Sequence, residues 1–269
     1  DLHSGNGSPL GADNEGRAFF NTYRPPSYMV NPEHLDTPEW TMVEGHFHKL
    51  LANGTDASHV LDWAAWLVQN PGKKISWVPL IIGSQGGGKS TVFQILKAAL
   101  GDKHAAQVNP HALNKEFNGF AVDYCLVGLE EVKLSSERYD LVDRLKELIT
   151  SPTIGVRRMH TAHVDQQNIA NYILFSNHED ALAVASGDRR WMVCAAKHET
   201  KEDYVADGMD TGYFDSLYSV IQRKPEIIHS GLKLRDVSGF NPNGHAPWTA
   251  AFDKMTNAAL PADAFLLKE

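Results

Sequence analysis

This sequence has few cysteines, no long apolar runs and no surplus of positive charge. Its two cysteines, Cys125 and Cys194, lie far apart and outside any CxxC pair, which argues against zinc or redox chemistry and predicts small buried side chains. No apolar run approaches the roughly 20 residues of a membrane span, and no charged-then-apolar leader opens the chain, so we expect a cytoplasmic protein. The net charge of -8 excludes a uniformly basic surface, so any nucleic-acid contact must come from a local cluster.

The chain nevertheless has ample material for a core. It has 269 residues, of which 42% are hydrophobic and 22% charged, as in a globular protein with one large domain or one domain plus a helical appendage. The first residue is Asp1 rather than Met, which suggests a piece of a longer polypeptide. We expect three parts: an arm and helical layer in residues 1–72, a core in 73–200, and a helical segment with a tail in 201–269.

Periodic apolar residues predict two helices before the core. Thr37 is a plausible N-cap with a proline after it, and apolar residues then recur at helical spacing up to Leu51. A second helical pattern, which includes Trp63 and Trp66, ends at Pro71. We expect both tryptophans to pack in the interior rather than to stack on bases.

Short apolar runs predict buried strands at residues 75–82, 124–131 and 171–177. A helical pattern follows the first run and ends at Gly101, another helix is predicted across 138–150, and a third near 212–223. Between the second and third strands, β-prone runs on either side of "HTA" suggest a hairpin. Strands that alternate with helices predict an α/β fold with a central parallel sheet flanked by helices.

The stretch "LIIGSQGGGKST" places a glycine-rich loop between the first strand and its helix. It satisfies the phosphate-loop pattern GxxxxGKS/T, in which backbone N–H groups and the helix N-terminus surround phosphate oxygens. The pattern predicts an ATP site in which Lys89 reaches the β and γ phosphates and the Ser90 hydroxyl ligates Mg²⁺. The predicted nucleotide-binding residues are Gly83, Ser84, Gln85, Gly86, Gly87, Gly88, Lys89, Ser90 and Thr91.

Polar residues at the ends of the next two strands complete the predicted site. Glu130 and Glu131 follow "LVGL" at the carboxyl end of a strand, where parallel sheets place ligands. Glu130 is predicted to hold Mg²⁺ through water, and Glu131 to act as the base that polarises the attacking water. Asn177 follows "YILFS", and its amide can orient that water against the γ-phosphate. Taken singly, "EE" is a common loop start and Asn is a common turn former. It is the order of the motifs along the chain that favours a nucleotide site.

This order of motifs resembles the superfamily 3 helicases of viruses and plasmids, in particular the helicase module of phage-type primase-helicases and primase-polymerases. The matching stretches, which lie between about residues 18 and 195, are "FFNTYRPP", "LDWAAWLVQNPGKK", "GSQGGGKST", "LVGLEE", "TIGVRRMHTAHV", "ILFSN" and "SGDRRW". The resemblance implies an AAA+-like P-loop NTPase core with a small N-terminal helical layer. It also implies a ring, usually a hexamer, that pumps single-stranded DNA through its channel. No primase or polymerase motif is present, so those activities would belong to other parts of the polypeptide.

The resemblance also assigns roles to two basic segments. Arg189 or Arg190 matches the position of an arginine finger, which stabilises charge on the phosphate bound by the neighbouring subunit. As an isolated turn, the same arginines would simply pair with Asp188 or Glu179. The hairpin is expected to grip the DNA backbone inside the channel. Its candidate contacts are Arg157, Arg158, His160 and His163, with His160 near the tip, although a solvated basic hairpin is the alternative.

Other interpretations stay open at this point. The leading hypothesis is a DNA-translocating ATPase; the alternatives are a nucleotide-dependent switch or assembly ATPase that does not move DNA, and a small-molecule kinase. A metal site at His46 and His48 is disfavoured, because residues two apart on a helix point to different faces.

Overall fold

The computed structural model describes residues 10–12, 18–20, 23–110, 113, 119–132, 139–156, 164–182 and 184–258. The strands are β1 (Leu10–Ala12), β2 (Ala18–Phe20), β3 (Val78–Ile82), β4 (Ala105–Val108), β5 (Leu126–Leu129), β6 (Thr153–Val156), β7 (Val164–Gln167), β8 (Asn171–Ser176) and β9 (Trp191–Ala195). The α-helices are α1 (Pro38–Leu50), α2 (Gly54–Gln69), α3 (Lys89–Leu100), α4 (Phe120–Asp123), α5 (Tyr139–Thr150), α6 (Lys201–Ala206), α7 (Thr211–Arg223), α8 (Pro225–Leu234) and α9 (Ala250–Ala258). Short 3₁₀ helices span Pro32–Asp36 and Asp102–His104.

A parallel sheet forms the centre of the molecule and confirms the predicted α/β class. Within the described residues it has five strands in the order β4-β5-β8-β3-β9, and every neighbouring pair is parallel. The three predicted buried strands are β3, β5 and β8. The edge strands β4 and β9 were not predicted from the sequence. Because parallel strands end on the same side, the loops after β3, β5 and β8 meet at one edge of the sheet.

Helices cover both faces of the sheet, which explains why its strands are so apolar. Successive side chains of a strand point to opposite faces, so Leu80 packs into one hydrophobic cluster and Ile81 into another. The cluster around Ile81 also contains apolar residues of α1, α2, α3, α7 and α8. The cluster around Leu80 contains apolar residues of α5 and α9.

The two predicted N-terminal helices are confirmed as α1 and α2. The Thr37 side chain accepts a hydrogen bond from the backbone N–H of Trp40, and Pro38 occupies the first turn, as the sequence predicted. Trp63 is fully buried, and its indole N–H donates to the carbonyl of Trp77, which is an interior packing role. α1 and α2 contact α3 and α8 within one core, and the boundaries near residues 72 and 200 stay predictions.

The predicted hairpin is confirmed in its two strands. β6 and β7 pair in antiparallel fashion from Thr153 opposite Gln167 to Val156 opposite Val164. Asn168 lies directly after β7, is fully buried, and donates to the carbonyls of Leu148 and Ser151. These bonds fix the base of the hairpin to the end of α5.

The part of the chain that the structure describes contains no helix long and apolar enough to cross a membrane. Both cysteines are buried, as predicted, and burial raises the pKa of the Cys125 thiol to about 11.

Candidate functional site

The glycine loop connects the carboxyl end of β3 to the first residue of α3, Lys89. Gly86 and Gly88 have φ values of 84° and 87°, a left-handed conformation that residues with a Cβ adopt at a cost. Gly88 is the N-cap residue of α3 and has no side chain to cover the first N–H groups of the helix. The loop therefore presents a helix N-terminus, with its partial positive charge, to the sheet edge.

Two aromatic rings from the C-terminal helices lie directly against the last two glycines. A Cβ placed on Gly87 would lie 2.6 Å from the ring of Tyr204, and one on Gly88 would lie 2.8 Å from the ring of Phe214. Any larger residue would push the loop off these rings. The run of three glycines, which exceeds what the sequence pattern requires, thus has a packing reason.

The ammonium of Lys89 lies beneath the loop. It donates to the carbonyls of Gly83 (2.7 Å) and Ser84 (2.5 Å) and to Oδ1 of Asn177 (2.9 Å). Lys89 is 7% exposed, and desolvation lowers the pKa of its ammonium while the nearby charge of Glu130 opposes that shift. The cation is therefore held close to the loop by oxygen acceptors that an anion can replace.

Two carboxylates follow β5 at the same edge of the sheet. The Glu130 carboxylate accepts a hydrogen bond of 3.0 Å from the Gln107 side chain at the end of β4. Glu131 has a φ of 52°, the only positive value at a non-glycine position in the described chain. Such a conformation costs on the order of 1–3 kcal/mol and is concentrated at functional sites.

Asn177 follows β8, which lies between β3 and β5. Its contact with Lys89 ties the end of β8 to the glycine loop. The preceding Ser176 is buried, and its hydroxyl donates to the carbonyl of Val132, just beyond the carboxylates. The loop, the carboxylates and Asn177 are thus joined through neighbouring strand ends.

These groups border one cavity of 380 Å³. The predicted site residues that line it are Gln85, Gly86, Gly88, Lys89, Ser90, Thr91, Glu130, Glu131 and Asn177. Gly83, Ser84 and Gly87 do not line the cavity. Gly83 and Ser84 instead support Lys89, and a Cβ on Gly83 would overlap the side chain of Ala196. The Ser84 hydroxyl oxygen is buried and has no hydrogen-bond partner among the residues that the structure describes.

Both candidate finger arginines lie away from this cavity. They precede β9, whose first residue pairs with Val78 at the start of β3, whereas the glycine loop follows Ile82 at its end. The length of β3 therefore separates them from the loop by about 15 Å. Arg190 donates to Asp188 at 3.1 Å, one of the pairings expected for a simple turn. Arg189 is exposed, and its guanidinium lies 3.5 Å from Nε2 of His245.

The four hairpin candidates lie outside the described residues. Arg157, Arg158, His160 and His163 fall within 157–163, between β6 and β7. Their predicted contact with DNA stays a prediction.

Several residues at the site were not predicted from the sequence. Phe214 and Tyr218 of α7 line the cavity, and the Tyr218 hydroxyl lies 3.3 Å from Oγ1 of Thr91. A helix was predicted here without a role, because nothing in its local pattern links it to a loop more than a hundred residues earlier. Its aromatic residues at positions 213, 214 and 218 are the signal that was available.

His46 is a further residue whose role at the site was not predicted from the sequence. It is fully buried, whereas His48 is exposed, so the two do point to different faces of α1. Nε2 of His46 lies 3.1 Å from the carbonyl of Gly88, and Nδ1 lies 3.1 Å from the Tyr213 hydroxyl. Desolvation lowers the pKa of His46 from 6.5 to about 4. A neutral imidazole with its proton on Nε2 donates to the loop and accepts from Tyr213.

Comparison with known protein families gives a match over the central part of the chain. Residues 81–190 match a family described as a family of unknown function (DUF5906). This segment begins within β3 and ends at Arg190, so it contains the glycine loop, both carboxylates, Asn177 and the hairpin.

The chain is also similar to a phage protein, both in sequence and in structure. The chain is 24% identical over 194 residues to the DNA primase-polymerase of Nitratiruptor phage NrS-1, an alignment that covers 71% of this chain and 26% of that protein. Two solved apo structures of the NrS-1 C-terminal region superpose with TM-scores of 0.75 and 0.71, at 20% and 17% identity. They cover 97% and 96% of this chain, which itself covers 60% of each NrS-1 chain. The chain is thus homologous to about a quarter of a phage replication protein and shares the fold of part of its C-terminal region.

Proposed function

We propose that this chain is the ATP-hydrolysing motor of a phage-type replication protein, and that a ring of its copies uses ATP to move single-stranded DNA. One observation carries the proposal. A single cavity brings together a glycine loop at a helix N-terminus, a buried lysine, a serine in the first turn of the helix, two carboxylates and an amide. Charge-stabilising donors beside a candidate base are what phosphoryl transfer to water requires.

The residues present fit Mg²⁺ and a nucleoside triphosphate. The loop combines left-handed glycines with the N-terminus of α3, which no side chain caps, and this arrangement favours phosphate oxygens. Ser90 and Glu130 supply the oxygen donors that Mg²⁺ prefers, with water and phosphate as its remaining ligands. The bound metal would neutralise charge on the phosphates and orient them.

Each of the remaining residues has a defined task in this proposal. Lys89 neutralises phosphate charge once its loop carbonyls are exchanged for phosphate oxygens. Glu131 accepts the proton of the attacking water, and its left-handed backbone sets the direction of the carboxylate. Asn177 orients that water. Its contact with Lys89 changes when phosphate enters the site, because Lys89 then turns to the phosphate oxygens.

The coupling to DNA is supported by the homologue and by the resemblance of the motif order to superfamily 3 helicases. The relative is a DNA primase-polymerase, and this chain covers 26% of it, so a primase or polymerase segment of the same polypeptide is a natural partner. Asn168 fixes the base of the hairpin. The hairpin would present four basic residues to the single-stranded DNA: Arg157, Arg158, His160 and His163. A phage protein of this kind would work in the cytoplasm of the host cell.

The proposal is tested by steady-state ATP hydrolysis at rising protein concentration, with and without single-stranded DNA. We expect specific activity to rise with concentration, because the site is shared between copies, and to rise further with DNA. Lys89→Ala and Glu131→Gln should each lower turnover by at least about 100-fold. Glu179→Gln is the matched control, because Glu179 is an exposed carboxylate that pairs with Lys254 at the surface, and it should keep wild-type turnover.

The outcomes separate the candidate functions. Unchanged turnover in Lys89→Ala or Glu131→Gln would refute the assignment of the site. Slow hydrolysis that depends on Lys89 but ignores DNA would instead identify a switch or assembly ATPase. The DNA surface is tested by Arg157→Ala, Arg158→Ala and His160→Ala combined, which should weaken single-strand binding and leave nucleotide binding intact. Normal DNA affinity in that variant would remove the hairpin from the proposal.

A further inference from the structure

The helix α7 forms an aromatic wall on one side of the cavity. Phe214 and Tyr218 are four residues apart, so their side chains lie on the same face of the helix, and both line the cavity. The other lining groups are mainly polar: the glycine loop, Lys89, two carboxylates and Asn177. An aromatic surface adds nothing to the binding of phosphate or magnesium, so the faces that Phe214 and Tyr218 present to the cavity are available to another ligand group.

Phe214 is held in a fixed position against the loop. Its ring lies at the Cα of Gly88, where a Cβ would come within 2.8 Å. It also makes edge-on contacts with the rings of His46, at 6.2 Å and 78°, and Tyr213, at 5.3 Å and 81°. The rings of a buried histidine and of a neighbouring tyrosine thus set the orientation of this part of the wall.

Tyr218 is the more accessible half of the wall. The residue is 37% exposed, and its hydroxyl lies 3.3 Å from Oγ1 of Thr91. Thr91 is two residues beyond Lys89 on α3, so the hydroxyl contact places the ring beside the loop rather than at the carboxylates. The carboxylates come from the sheet and the rings from the helical layer. A ligand that contacts both the glycine loop with its carboxylates and the two rings therefore has a phosphate group at one end and a flat aromatic group at the other.

We propose that Phe214 and Tyr218 form a nucleobase subsite, through which the cavity distinguishes a nucleoside triphosphate from a bare polyphosphate. Base–aromatic stacking works for any base, because every base has a π-face. This inference rests on the proposed function, since it requires the triphosphate to occupy the glycine loop. It adds that a helix beyond residue 200, outside the segment that matches the family, contributes directly to ligand affinity.

The test compares two ligands that differ only at the proposed subsite. Calorimetric titrations with Mg²⁺ use a non-hydrolysable ATP analogue and inorganic tripolyphosphate. Tyr218→Ala should weaken binding of the ATP analogue by about ten-fold, within the range of one stacking interaction, and leave tripolyphosphate affinity within about two-fold. Tyr218→Phe keeps the ring and should bind both ligands like the wild type. Ser219→Ala, an exposed neighbour on α7, is the matched control.

Each outcome decides one of the two proposals. Wild-type affinity of Tyr218→Ala for the ATP analogue would overturn the base subsite. An equal loss for both ligands would also overturn it, because Tyr218 would then support the loop rather than a base. Lys89→Ala should weaken the binding of both ligands, because Lys89 acts on the phosphate groups that the two ligands share. A wild-type protein that binds neither ligand would refute the proposed function, and the base subsite with it.

Discussion

At the scale of single residues, Glu131 combines backbone strain with a candidate catalytic group. Its φ of 52° is tolerated because the adjacent Val132 is fully buried and its N–H donates to the carbonyl of Phe175. Replacing Glu131 by Gly removes the clash of a Cβ in the left-handed region and should raise the free energy of unfolding by about 1 kcal/mol. The same variant should lose ATP hydrolysis, because the carboxylate is gone.

Denaturant titration and turnover measurements check this prediction together. Glu130→Gly is the matched control, since the neighbouring residue has no positive φ and glycine there should lower stability by about 0.5–1 kcal/mol. Equal stability changes at the two positions would contradict the assignment of strain to Glu131.

The buried imidazole of His46 should make the stability of the folded protein sensitive to acid. The pKa of its imidazole is about 4 in the folded protein and 6.5 when solvated, so the unfolded state binds more protons between these values. Its contribution to stability is therefore complete above pH 6.5, falls as the pH drops, and is lost below pH 4. Between about pH 7.5 and pH 5 the wild type should lose about 2 kcal/mol relative to His46→Gln, which keeps a donor for Gly88 but does not titrate.

Urea titrations of both proteins at a series of pH values measure this difference. Comparing the two proteins cancels the contributions of the other histidines. If the difference in unfolding free energy between the two proteins stays constant across the range, the pKa of His46 is the same in the folded and unfolded states, which would contradict the prediction.

The site residues that could be predicted from the sequence are those that belong to a motif of neighbouring positions in the chain. Gly83, Gly88, Lys89 and Ser90 form a loop motif, and its neighbours along the chain already specify its strand and helix. The role of His46 was not predictable, because its contact with Gly88 joins residues 42 positions apart. The same holds for Tyr204 and Phe214, whose distance along the chain from the loop is larger still.

At the scale of elements, sequence pattern was most informative where burial was complete. β3, β5 and β8 are buried on both faces and appear as uninterrupted apolar runs. The edge strand β4 is short and partly exposed, so its pattern is weak. β9 is buried except at its last residue, but it follows Arg189 and Arg190 directly, and the arginine motif was the stronger signal.

The packing of α1 on α8 gives a prediction at this scale. A Cβ on Gly231 of α8 would overlap the buried ring of Trp40, so Gly231→Ala should force the helices apart and cost about 1–3 kcal/mol. Gly45 lies in α1, and a Cβ added there would have no atom within 4 Å. Gly45→Ala should therefore stabilise the protein by about 0.5–1 kcal/mol through helix propensity.

Thermal or denaturant unfolding of the two variants measures the contrast. The substitution is the same in both, so its effect on the unfolded chain largely cancels. Changes of the same sign would contradict the close contact between α1 and α8.

At the scale of the whole molecule, the glycine loop and the candidate finger lie at opposite ends of adjacent strands. The loop follows the carboxyl end of β3, and Arg189 precedes the amino end of β9. One copy therefore cannot place Arg189 at its own loop without breaking the sheet. Arg190 is held by Asp188, whose side chain is 7% exposed, whereas Arg189 is exposed beside His245. Of the two, Arg189 is the arginine that is available to a neighbouring copy.

Mixing two inactive variants tests whether the site is completed between copies. Arg189→Ala has an intact loop but no finger, and Lys89→Ala has a finger but no working loop, so each alone should hydrolyse ATP poorly. In mixed rings, a site on an Arg189→Ala copy is served by the arginine of a neighbouring Lys89→Ala copy. Random assembly at equal amounts creates such a pair at about a quarter of the interfaces, so hydrolysis should recover toward that fraction of the wild-type rate. Arg190→Ala mixed with Lys89→Ala should show no comparable gain over its own activity, because the Asp188 pairing makes Arg190 a structural residue of its own copy. Absence of recovery with Arg189→Ala, in rings shown to contain both variants, would count against Arg189 as a finger that acts on the neighbouring copy.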